Sequence, residues 1–182
     1  MEKRKETEGS VLFSEEQRIW DTWIRYLLIV DFSFMTVLVS ALTLTDKEAS
    51  LNEKILIPLS FILFSLLILL LFRSFQLITV ITTNGIYIRL KPFEKKYRFI
   101  AKENIKELKE VKVNFFNTGI KIKRGEKSFI IHGNKALEIQ TSSYKITLGS
   151  NRYNDFITSL QNLIAPVSSN SIIIHYSNSG DL

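Results

Sequence analysis

Catalysis and metal binding need nucleophiles, ligands or paired acids at workable spacing, and this chain has few of them. It has no cysteine, which excludes disulfides, zinc ribbons and thiol catalysis. Its two histidines, His132 and His175, stand far apart in sequence, so no His-rich metal site is expected. Neither has a serine or acid beside it that would make a relay. No phosphate-cradling glycine loop and no dinucleotide fingerprint occurs. The expectation is a protein without catalytic step, metal or cofactor. What the chain does concentrate is positive charge. Arg89 and Lys91 precede Lys95, Lys96 and Arg98 across a short turn signal. Such a cluster suits anionic lipid headgroups, each cation near a negative leaflet contributing about 1 kcal/mol. A second reading is a solvated strand face whose lysines discourage edge-to-edge pairing. Lys121, Lys123, Arg124 and Lys127 form a second basic group around Gly125. No aromatic-rich single-strand motif accompanies either group, so nucleic acid is not an expected partner.

The segments that carry these charges follow an apolar region. Hydrophobic residues make up 46% of the chain, but they are crowded between Tyr26 and Phe72. Two stretches, 26–44 and 55–72, meet the length of a membrane-spanning helix. The second has no charge, and Pro58 falls in its first turn, where a missing N–H costs little. Neither stretch has the polar face of a helix in a soluble bundle. The connection at 45–54 is polar. Lys3, Arg4, Lys5, Arg18 and Arg25 precede the first span; Arg73, Arg89 and the basic cluster follow the second. The positive-inside bias then puts both termini in the cytoplasm and the connection outside. From Arg73 onward there are 17 Lys/Arg against 8 Asp/Glu, so this part carries the whole excess behind the net charge of +6. Lack of cysteine fits a reducing compartment.

Three further features border or enter the first span. Ser14-Glu15-Glu16-Gln17 has capping-box spacing, so a juxtamembrane helix is expected to start there within residues 1–25. Trp20, Trp23 and Tyr26 recur every three residues, as an aromatic belt at the headgroups or a packing row would. Asp31 is the one acid inside a span, a candidate intramembrane polar residue; a near-interface position facing a partner helix or solvent is its plainer reading.

Beyond Arg73 the period changes to two. Residues 77–83 and 86–90 read as strands around Asn84-Gly85, the strongest short hairpin signal. Residues 91–94 turn into a third strand at 95–100. Residues 101–107 read as a weak helical turn or loop, 108–115 as strand and 117–119 as a turn. Ile120 and Ile122 alternate with Lys121 and Lys123. Residues 127–131 form the next strand, and 136–140 and 144–148 a further hairpin. Residues 151–164 then place Tyr153, Phe156, Ile157 and Leu160 at helical spacing, ending near Pro166. Ser150 or Asn151 is placed to cap this helix, leaving Arg152 poorly placed for the helix dipole and in need of another partner. The tail, 165–182, reads as loose, with a strand signal at 172–174. About seven strands closed by one helix is the plan of a small barrel or sandwich of pleckstrin-homology-like type, in an α+β membrane protein whose domain spans 73–164.

In that order, Phe13-Ser14-Glu15-Glu16-Gln17, Thr83-Asn84-Gly85-Ile86-Tyr87-Ile88-Arg89, Pro92-Phe93, Gly119-Ile120, Gly133-Asn134-Lys135-Ala136-Leu137-Glu138-Ile139 and Leu148-Gly149-Ser150-Asn151-Arg152 resemble a family of uncharacterised bacterial membrane proteins. These have two transmembrane helices and a bacterial pleckstrin-homology-like domain. The resemblance covers the chain to about Leu163. It implies an inner-membrane location and this architecture, and brings no activity or catalytic residue. The expected function is a membrane-anchored binding or scaffolding module. Its basic domain would meet anionic lipid headgroups, a protein segment of unknown identity, or both. The alternative is a non-catalytic subunit of a transport or envelope-stress complex, for which Ser33, Ser40, Ala41, Ser60 and Ser65 are the small residues available for helix packing.

Overall fold

The structure is a computed structural model that describes residues 8–114, 119–131 and 133–164 and the backbone of Ile173–His175. It has two compact units: Arg18–Phe75, and a second made of Met1–Gln17 with Gln76–Leu182.

The first unit is a helical hairpin. A 3-10 turn at Ile19–Asp21 leads into α1 (Ile24–Thr45), and α2 (Leu51–Ser74) returns. Helices of 22 and 24 residues are about 33 and 36 Å long, against about 30 Å for a bilayer's hydrocarbon core. Both are long and apolar enough to cross a membrane. A capping box does occur at a helix start, but it is at α2. Ser50 Oγ accepts from Glu53 N at 3.3 Å, and Glu53 Oε2 accepts from Ser50 N at 2.7 Å. Pro58 is accommodated inside α2, in its third turn rather than its first because the helix begins earlier than the apolar run.

The second unit is α+β and sandwich-like. A four-stranded sheet has the order β1 (Val11–Arg18), β2 (Gln76–Thr82), β3 (Gly85–Lys91), β4 (Arg98–Ala101). A six-stranded sheet contains β5 (Ile105–Lys112), β6 (Gly119–Lys123), β7 (Glu126–Ile130), β8 (Lys135–Thr141), β9 (Lys145–Gly149) and β10 (Ile173–His175). Its order is β10-β5-β8-β9-β7-β6. The β7–β9 pair is parallel, so this sheet is not a simple meander. The helix α3 (Tyr153–Ile164) packs on β2 and β8.

Period-two alternation explains the core. Leu77, Ile81, Ile86, Ile88, Leu90 and Ile100 of the first sheet are buried, as are Leu108, Leu137, Ile139, Ile146 and Leu148 of the second. Phe156, Leu160, Leu163 and Ile164 come from one face of α3. The opposite face of the first sheet is covered too. Ile78, Val80 and Tyr87 cluster there under Tyr97, with Phe99 4.7 Å from Tyr87 between ring centroids.

Several expectations are corrected. No helix starts at Ser14: that segment is β1, with Phe13, Glu15 and Gln17 buried on alternate positions. Strand pairing and buried polar bonds outweigh the local capping signal there. The row of Trp20, Trp23 and Tyr26 is not one helical face, because Trp20 lies in the 3-10 turn and α1 begins only at Ile24. The first hairpin turns at Thr83-Asn84, since Thr82 pairs with Gly85, which opens β3. Gly85 is required for another reason. A Cβ there would sit 2.2 Å from the Ile100 carbonyl oxygen of β4. The third strand begins at Arg98, not Lys95, and the weak turn at 101–107 is a short 3-10 segment, Lys102–Asn104, that passes directly into β5. Of the turn expected at 117–119, Gly119 opens β6, while Asn117 and Thr118, together with His132 and most of the tail, lie outside the described residues.

Candidate functional site

The basic cluster is built on the connection from β3 to β4. Glu94 holds this connection shut. Its N–H donates to the Leu90 carbonyl at 2.8 Å, and its Oε2 accepts from Leu90 N at 3.2 Å. Its carbonyl accepts from Arg89 Nε at 3.2 Å, and its Oε1 pairs with Arg98 Nη2. Arg89 also lies 5.4 Å from the centroid of the Tyr97 ring. Two of the five predicted cations therefore serve the loop's own structure. Arg98 retains Nη1, buried without a hydrogen-bond partner among the described residues. Lys91 ends β3 and is half-buried; Lys95 and Lys96 are exposed in the connection. They make no ion pair among the described residues. Between them and β3 stands Phe93, 67% exposed. The structure thus sharpens the cluster to exposed lysines flanking an exposed aromatic ring. From the sequence Phe93 enters only as part of the turn at 91–94 and of the Pro92-Phe93 resemblance, not as a site residue.

The second basic group lies around the β6–β7 hairpin, which turns at Arg124-Gly125 with Gly125 at φ +83°. Lys121 and Lys123 share a sheet face with a shallow concavity of about 250 Å³. On that face Lys145 bridges Glu138 at 3.1 Å and Glu126 at 3.9 Å. Lys127, which also lines the concavity, lies 5.9 Å from the Tyr144 ring centroid.

Asp31 is exposed on α1. Among the described residues no group of three or more His, Asp or Glu could hold a metal ion. Of the small residues, Ser33 and Ser65 line a groove of about 390 Å³ between α1 and α2, with Thr36. Ser60 instead donates to its own helix at the Ile57 carbonyl, 2.8 Å away.

The site that sequence reasoning missed is a buried polar joint. Glu15 Oε2 accepts from Ser150 Oγ at 2.6 Å and from Gln17 Nε2 at 3.2 Å, and Glu15 Oε1 from Asn151 N at 2.9 Å. Gln17 Nε2 also donates to the Gly149 carbonyl at 2.8 Å. Arg152 donates to the Ser14 carbonyl at 2.6 Å, and its guanidinium lies 4.8 Å from the Phe13 ring centroid. This is the separate partner that Arg152 was expected to need. Arg152, not Ser150 or Asn151, supplies the carbonyl that opens α3, to Phe156 N. Ser150 Oγ accepts from the N–H of Arg152. Two sequence motifs more than 130 residues apart thus form one joint. Its role is to fasten β1 to the start of α3.

Comparison with protein-family models, curated proteins and solved structures finds no match to this chain.

Proposed function

We propose that this is a membrane-anchored, non-catalytic binding module. The observation that carries the proposal is the surface of the hairpin. No residue of α1 is buried and only Ser65 of α2 is, while Val30, Phe34, Val37, Leu63, Phe64 and Leu67 are each more than half exposed. Exposed apolar surface on that scale needs a lipid solvent. The positive flanks support an inner-membrane orientation with both termini cytoplasmic. Only Phe75 separates α2 from β2, so the α+β unit is tethered closely to the second span. Strands followed by a closing helix support a pleckstrin-homology-like reading of that unit.

In this reading residues 91–96 meet an anionic leaflet. Lys95 and Lys96 supply charge, and Phe93 supplies a ring that sits well at the headgroup level. The test uses the chain's lack of cysteine. A single Phe93→Cys carrying an environment-sensitive fluorophore is placed in the full chain, reconstituted in neutral or phosphatidylserine-containing bilayers. The expected result is a blue shift only with anionic lipid. It should vanish in about 1 M salt, where screening acts within about 3 Å, and in the Lys95→Ala/Lys96→Ala double variant. Equal emission in both bilayers would remove lipid contact from the proposal.

A further inference from the structure

Among the described residues the six-stranded sheet ends at β6, which pairs with β7 on one side and with no strand on the other. An open edge presents alternate N–H and C=O groups to any extended chain that can align with it. Residues 121–126 are all exposed, and Ile122 is 65% exposed despite its β-branched side chain. Side chains alternate along β6. Lys121 and Lys123 share the face that bears the concavity, opposite Ser128 and Glu126. Ile120 and Ile122 occupy the other face. Arg124 stands exposed at the hairpin tip.

We infer that β6 is a docking edge for an extended protein segment in which acidic and apolar residues alternate. Such a strand would place its carboxylates beside Lys121 and Lys123, and its apolar residues beside Ile120 and Ile122. Main-chain hydrogen bonds supply the alignment, and the two faces set the register. The charges also choose between occupants. A second copy pairing through the same edge would bring lysines against lysines, which is unfavourable for directly opposed strand positions. An acidic partner is favoured over self-association.

The inference rests on the reading of the chain as a tethered binding module, but not on lipid contact. Its test therefore uses the full chain in nanodiscs of phosphatidylcholine alone, where anionic lipid is absent. The probes are three fluorescent peptides of about eight residues, a typical strand length: alternating glutamate and valine, alternating lysine and valine, and the acidic peptide N-methylated at alternate residues. Only the unmodified acidic peptide should bind saturably. The double variant Lys121→Glu/Lys123→Glu should weaken it about tenfold, since each opposed pair turns from attractive to repulsive, with an unchanged circular dichroism spectrum. Three outcomes would overturn the inference: no saturable binding of the acidic peptide, equal binding of its N-methylated form, or equal affinity of the charge-reversed variant. The peptide arms do not alter the protein, so the idea stays testable even if the variant misfolds.

Discussion

At the scale of single residues, the Glu15 joint is the feature with the clearest energetic consequence. A buried carboxylate with three donors is stable only while those donors remain. Removing it leaves Ser150 Oγ and Asn151 N to find other partners. Glu15→Ala should therefore lower stability by about 1–3 kcal/mol, the cost of stranding buried donors. Thermal unfolding of the full chain in detergent, followed by circular dichroism, reads this directly. Ser14→Ala, an exposed β1 position whose side chain takes no part in the joint, should be nearly neutral. The sequence hid this joint for a physical reason. A strand with glutamate and glutamine facing inward breaks the apolar alternation by which strands are recognised. Ser14-x-x-Gln17 also imitates a helix start. What was legible was that Arg152 is poorly placed for the helix dipole and calls for another partner; the structure gives it Asp155 of its own helix at 4.0 Å and the Ser14 carbonyl, in the segment misread as helix.

At the scale of elements, legibility followed the strength of the periodic signal. The two apolar helices were readable to within a few residues from the length of their continuous apolar runs, and the strands β2, β3, β8 and β9 and the amphipathic α3 because each has one dominant period. The basic cluster was readable in composition but not in placement. Lys95 and Lys96 lie in a connection that Glu94 ties down, so no ladder partner is needed before Arg98. The pairing of the six-stranded sheet was out of reach, since a parallel β7–β9 contact leaves no local trace. The true capping box at Ser50 and Glu53 sat within a loop assigned by its polarity. It makes a prediction of its own. Ser50→Ala should cost the start of α2 about 1 kcal/mol. Hydrogen exchange at the Glu53 amide, which donates to Ser50 Oγ, should speed up about fivefold, with amides in the middle of α2 unaffected. Unchanged exchange at Glu53 would mean that the box does not hold the helix end.

At the scale of the whole molecule, charge and hydropathy divide the work. The helical hairpin places large exposed apolar side chains on both helices, and the α+β unit carries all the excess positive charge. The proposed lipid contact at residues 91–96 and the proposed peptide edge at β6 both assume that this unit faces the cytoplasm, where anionic headgroups lie. Sidedness is therefore the central claim, and single-cysteine labelling tests it directly because the native chain has no cysteine. Lys47→Cys lies in the α1–α2 connection, and Ser142→Cys is exposed in the β8–β9 turn. A membrane-impermeant maleimide would be applied to intact bacterial spheroplasts expressing each variant. The account predicts that Lys47→Cys is labelled from outside and Ser142→Cys only after permeabilisation. Labelling of Ser142→Cys in intact spheroplasts would contradict it.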